Sequence, residues 1–133
     1  MSVKLQDGKV ILKEGRVSCS CCCGDLIIDT EGGDEGYLQT FDLLKSSNAY
    51  SFLVTFTALF VADRLIISTD KGPVYDSGCI GTEVGQPSSV TANPTIQANA
   101  STVTIQVIPL CGPSTSGTVW IVFLEKLCIK LEQ

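Results

Sequence analysis

Histidine is absent from all 133 residues of this chain. Without imidazole there is no His general base, no triad of the usual composition and no His ligand for zinc. A serine or cysteine nucleophile would need another activating base. The sequence has neither a G-x-S-x-G elbow nor a Gly-rich loop leading into Lys-Ser or Lys-Thr. No catalytic residue, cofactor site or metal site is assigned on these grounds, and the expectation is a protein that is not an enzyme. Positive charge is scarce as well: 9 Lys and Arg face 14 Asp and Glu, for a net charge of −5. The cations are scattered singly, with no basic stripe to neutralise phosphates, so no nucleic-acid partner is expected. Long apolar runs are also missing. The longest, within 51–61, is broken by two threonines, so no membrane partner is expected. The opening MSVKLQDGKV lacks the charged-then-apolar order of a signal peptide, which points to synthesis in the cytoplasm.

What is present describes a folded β protein. Hydrophobic residues make up 44% and charged residues 17%, and the length fits one domain with its own core. VKLQ-DG-KVILK-EG-RVSCS reads as two strand-turn-strand units, with Asp7-Gly8 and Glu14-Gly15 where two-residue hairpin turns need positive φ. Residues 1–24 are therefore a β-meander carrying a cysteine cluster, too small to stand alone. Residues 25–133 form the main domain. Within it, Phe52, Val54, Phe56, Ala58 and Phe60 alternate with Ser51, Thr55 and Thr57, and Val103, Ile105 and Val107 alternate with Thr102, Thr104 and Gln106. RLIIST-DKG-PVYDSG reads as another hairpin. No comparable stretch has a 3.6-residue stripe, so the fold is all-β, a single jelly-roll-like β-sandwich with an N-terminal β-meander. Polar residues 81–100 read as a long loop, either a solvated excursion or a subunit contact.

The C-terminal TVWIVFLEKLCIKLE carries two apolar sets. Val119, Ile121, Phe123, Leu127, Ile129 and Leu131 share one parity, which assigns that face to the core. Trp120, Val122 and Leu124 share the other and need separate cover, from the meander or from another subunit. These three are the interface candidates, and a homo-oligomer is expected.

VADRLIISTDKGPVYDSGCIGT followed by VTIQVIPLCGPSTSGTVWIVFL resembles small β-sandwich domains of bacteriophage virion proteins and bacterial surface proteins. The opening VKLQDGKVILKEGRV is similar to meanders that precede a cysteine cluster in short phage-encoded proteins. The resemblance implies a structural protein of the virion, made in the host cytoplasm: a capsid decoration (cement) protein or a tail accessory. Its implied partners are copies of itself and a major capsid or other virion protein. The alternative is a carbohydrate- or surface-ligand-binding module, calcium-dependent in some related domains. For sugar the available aromatics are Tyr37, Tyr50 and Tyr75. For calcium the acidic loop offers Asp29, Glu31, Asp34 and Glu35, but their spacing does not match an EF-hand, and a solvated acidic turn is the simpler reading. Asp63, Asp70 and Asp76 read as turn and strand-end residues, with Asp76 able to bond its own backbone.

SCSCCCGD holds four of the seven cysteines, Cys19, Cys21, Cys22 and Cys23. On a continuous strand Cys19, Cys21 and Cys23 share a face about 6–7 Å apart, too far to converge on one ion. Cys19 and Cys22 have C-x-x-C spacing, but no helix follows to lower a thiol pKa. Cys79, Cys111 and Cys128 lie near strand ends. Three states stay open: disulfides formed after release from the cell, reduced small hydrophobes, or metal ligands. Disulfides are favoured, with at least one joining the 19–23 cluster to Cys79, Cys111 or Cys128.

Overall fold

The computed structural model describes residues 4–6, 9–12, 15–20 and 23–130, with side chains described from Leu26 onward. Its strands are β1 (Lys4–Gln6), β2 (Lys9–Leu12), β3 (Gly15–Ser20), β4 (Cys23–Gly32), β5 (Tyr37–Asp42), β6 (Tyr50–Ser51) and β7 (Leu53–Thr57). They continue as β8 (Asp63–Thr69), β9 (Gly72–Ile80), β10 (Ser89–Ala92), β11 (Thr95–Ile96), β12 (Thr102–Ile108) and β13 (Trp120–Ile129). A single 3₁₀ turn spans Thr82–Val84, and no helix among the described residues is long and apolar enough to cross a membrane. One sheet has the order β1-β2-β3-β4-β13-β7-β10 and the other β5-β12-β8-β9, with β6 and β11 as a small accessory pair. All pairings are antiparallel. The fold is an all-β sandwich with an N-terminal meander, as the period-two patterning predicts.

The core lies between β4-β13-β7-β10 and β5-β12-β8-β9. Phe52, Val54, Phe56, Leu65, Ile67, Val103, Ile105 and Val107 are all buried there. Threonine and serine hydroxyls pair between strands on the outer surfaces: Thr40 with Thr104 (2.9 Å), Thr55 with Thr91 (3.1 Å) and Thr57 with Ser89 (2.9 Å). Such cross-strand pairs suit β-branched side chains on a pleat. Trp120 is buried at the start of β13, edge-on to Tyr37 at 5.9 Å, and its indole N–H donates to the Gly33 carbonyl (2.9 Å). Only a glycine fits at position 32, because a Cβ there would stand 2.3 Å from the indole.

Strand β13 departs most from the sequence reading. Leu124 pairs with Ile28, and the next paired residue, Leu127, faces Leu26. Three steps on β13 match two on β4, a β-bulge with Lys126 at φ 77°. The extra residue reverses the alternation, so Trp120, Val122 and Leu124 before it are buried together with Leu127 and Ile129 after it. The expectation that Trp120, Val122 and Leu124 cover a subunit contact is therefore corrected: all three are core residues. Ile121 and Phe123 are the half-exposed ones. The strand at 49–60 likewise ends early, at Thr57, and Leu59 turns the chain at φ 63°, leaving Phe60 outside the core. Residues 81–100 are not a plain loop, since β10 pairs with β7 and Pro94 and Ile96 are buried.

The meander extends the larger sheet. Gln6 pairs with Lys9. Leu12 pairs with Gly15, so Gly15 belongs to β3. The expected turn residues Asp7, Gly8 and Glu14 lie outside the described residues. In the cysteine segment Cys19 pairs with Gly24 and Ser20 with Cys23, so the chain reverses there instead of continuing as one strand. Cys21 and Cys22 lie outside the described residues. The proposed boundary at Gly24 falls within the continuous strand β4.

Asp70, at the β8–β9 turn, holds the start of β12. Its carboxylate accepts from the Ser101 amide (2.7 Å), the Ser101 hydroxyl (2.8 Å) and the Thr102 amide (3.2 Å). These bonds hold its pKa at about 2, below the usual 3.8. A lowered folded-state pKa means the stabilisation is complete above the unfolded value and is lost as pH falls through the folded one. Asp70→Ala is expected to melt at a lower temperature than the parent at neutral pH. The gap should close between about pH 4 and pH 2. Melting curves of both proteins across that range check this.

Candidate functional site

Four connections meet at one end of the sandwich: 33–36, 58–62, 81–88 and 109–119. Three carboxylates and one disulfide bind them together. Asp34 accepts from the amides of Gly117 (3.1 Å) and Thr118 (2.9 Å). Asp63, fully buried at the head of β8, accepts from the Leu110 amide (3.0 Å) and the Thr118 hydroxyl (2.5 Å). Glu83 accepts from the Ala62 amide (2.5 Å) and from both the amide (3.2 Å) and hydroxyl (2.6 Å) of Ser114. Cys79 and Cys111 form a disulfide with a Cα–Cα distance of 5.9 Å. The Cys111 amide also donates to the Ala62 carbonyl (3.0 Å). Long connections usually carry loose backbone groups. Here carboxylates serve as acceptors for those amides, and segment 109–119 is tied at both ends and its middle.

The electrostatics follow from this. Burial pushes the Asp63 carboxyl above its usual range, while the Thr118 and Leu110 hydrogen bonds pull it back and the charges of Glu83 and Asp34 add to the rise. Glu83 is held below its usual range, first by the Ser114 hydroxyl and then by the Ala62 amide. Ser114 and Glu83 resemble a nucleophile and its base only in distance. A carboxylate with lowered pKa and both oxygens occupied is a poor proton acceptor, so the pair fastens a loop. The charge cluster is likewise already committed to amides. Among the described residues no group of three or more potential ligands is placed to hold a metal ion. Of the proposed calcium set, Asp34 binds the 117–118 amides, Glu35 accepts from the Gly33 amide (3.1 Å), and Asp29 and Glu31 lie exposed on β4.

Exposed large apolar side chains stand among the polar ones at this end. Among the described residues, the exposed large hydrophobics are Leu38 (64%), Phe60 (62%), Val119 (49%) and Leu59 (48%). All four lie in these connections or, for Leu38, one residue into β5. Two leucines at this end, Leu59 and Leu110, have positive φ, 63° and 59°. A bulky residue in that region is strained, and such strain persists only where surrounding structure holds it. Beside Leu38 runs a shallow groove of about 320 Å³, also lined by Tyr37, Gln106, Ile108 and Pro109.

No protein-family model and no curated protein matches the chain. Asp76 bonds the Gly78 amide (2.9 Å) as the sequence suggested, and it also pairs with Arg64 across β8 and β9. The disulfide narrows one expectation: Cys79 and Cys111 bond to each other, so of the three expected partners of the 19–23 cluster only Cys128 is left, and the cluster's side chains lie outside the described residues. Sequence reasoning missed Asp63 and Glu83 as loop anchors. Both sit beside the paired cysteines or their hairpin, but a lone acid before a strand carries no signal of burial.

Proposed function

We propose that the chain is a structural, non-enzymatic protein of a bacteriophage virion, a capsid decoration protein that stabilises the particle through subunit contacts. The supporting observation is the exposure of Leu59 and Phe60 on connection 58–62, which the Glu83 carboxylate and the Cys111 amide hold through Ala62. Solvent-facing apolar residues on a rigid scaffold favour contact with protein, because little conformational entropy is lost on docking. A major capsid protein is the partner class this reading takes. The sugar-binding alternative needs exposed aromatic platforms, and Tyr37, Tyr50 and Tyr75 are instead half-buried against the core. The Tyr50 hydroxyl accepts from the Cys128 amide (3.3 Å).

In washed particles of the phage that encodes it, mass spectrometry is expected to find the chain in multiple copies. A Leu59→Asp/Phe60→Asp variant should keep its β circular dichroism and fail to bind particles. A chain absent from the particles, or a variant that binds them as the parent does, overturns the reading.

A further inference from the structure

Strand β5 is an edge of the smaller sheet and pairs with β12 in unbroken register, from Tyr37–Val107 to Asp42–Thr102. In an antiparallel ladder alternate residues exchange bonds with the neighbouring strand, and those between them point the other way. The Leu43 amide donates to the Ser101 carbonyl on the β12 side (2.8 Å), whereas the Asp42 carbonyl accepts from the Lys130 amide on the far side (2.8 Å). The same alternation turns the amides and carbonyls of Leu38 and Thr40 away from β12. Among the described residues no backbone group meets them there.

Short length, proline, bulges and lysine are what keep sheet edges from pairing with other chains. β9, the other edge of this sheet, holds Pro73 and two register shifts against β8. β10 has four residues and lies between Pro87 and Pro94. β5 has six residues with no proline, bulge or cation, and Leu38 on it is 64% exposed.

The open groups fix the register a second copy would take. Lys130 already holds the Asp42 carbonyl, and the Gly36 amide donates to the Gly33 carbonyl (3.1 Å). Leu38 therefore sits opposite Thr40 of the second copy, with Gln39 at the two-fold axis. Charge fits that arrangement. Lys45 and Lys130 line a cleft at the C-terminal end of β5 together with Asp42, while Asp34 and Glu35 precede the strand. Arg64–Asp76, the only ion pair among the described residues, uses neither lysine. An antiparallel two-fold brings the unlike ends together, whereas a parallel pairing would set like against like.

We propose that the chain forms a two-fold dimer in which β5 of one copy pairs antiparallel with β5 of a second, joining two smaller sheets into one. The two copies of Leu38 then lie diagonal to each other on the outer surface and cover one another. Pairing uses the β5 edge of both copies, so assembly closes at the dimer. The loop-end contact with a capsid uses Leu59 and Phe60, so either reading can fail alone.

Light scattering on the full chain should give twice the mass of one chain. Thr40→Pro removes an amide that β12 does not use, and Leu38→Lys sets two like charges side by side. Each should give a monomer with the parent's β circular dichroism. Leu38 is exposed, so its variant reads the contact even if Thr40→Pro disturbs the strand. Glu35→Lys should weaken the dimer, and adding Lys130→Glu should restore it. A dimer that survives both Thr40→Pro and Leu38→Lys, or no recovery in the charge-exchanged double variant, overturns the proposal. A monomeric parent also overturns it, and a dimer appearing once residues 131–133 are removed would then assign this edge to the chain's own end.

Discussion

Val122→Asp is expected to unfold the sandwich. Val122 is completely buried in β13, between Thr30 of β4 and Phe56 of β7 in the sheet register. No cation is described among the buried residues of this core, so a carboxylate there would be charged without a partner or protonated without an acceptor. Either state costs several kcal/mol, about 4 or more, which is a large share of the stability of an ordinary domain. Val122→Ala removes only methyl groups and should cost about 2 kcal/mol, in the range of other large-to-small core changes. Phe123→Asp, one residue along on the opposite face, should leave the fold near its parental stability. Urea denaturation followed by circular dichroism ranks the three. If Val122→Asp and Phe123→Asp melt alike, the assignment of faces on β13 is wrong.

That contrast also marks what the sequence could and could not reveal about the fold. Alternation alone located the strands around Phe52–Phe56, Leu65–Ile67 and Val103–Val107, because in each the buried and outward residues differ sharply in polarity. On β13 both parities are apolar over 119–124, and the order of burial is set by where one extra residue enters the ladder. The bulge at Lys126 needs no glycine or proline and so leaves no mark on the composition. Reading a single parity from 119 to 131 joined residues that the bulge puts on opposite faces. The outward apolar set on this strand is Val119, Ile121 and Phe123.

The loop end was less legible, for a different physical reason. Asp34, Asp63 and Glu83 act by accepting from amides of residues 21 to 84 positions away, and such pairing depends on the tertiary path. An acidic residue in a turn looks the same in sequence whether solvent or a distant loop occupies its oxygens. The cysteines show the same limit. Seven thiols were legible as candidates for bridging, while partner choice follows from which strand ends the fold places within about 6 Å of each other.

Replacing both Cys79 and Cys111 by serine is expected to give the second large loss. The bridge closes a span of 32 residues, which includes the 3₁₀ turn, β10, β11 and β12. Constraining a loop of that length in the unfolded chain is worth about 3–4 kcal/mol on the chain-entropy relation. The folded side adds to this, since Cys111 sits where 109–119 leaves β12, between the Leu110 and Ser114 bonds to Asp63 and Glu83. Without the bridge, hydrogen bonds to Asp63, Glu83, Asp34 and the Ala62 carbonyl are left to hold the segment that carries Val119. The double variant should therefore unfold at lower denaturant and become easier to cleave within 109–119, while its β spectrum persists in buffer. Parent protein treated with reductant should approach the variant's midpoint, and the variant itself should respond to reductant only through the remaining cysteines. Non-reducing peptide mapping should recover the Cys79 and Cys111 peptides as one species. Recovering them instead joined to peptides from 19–23 would restore the pairing expected from sequence and remove the bridge from the loop end.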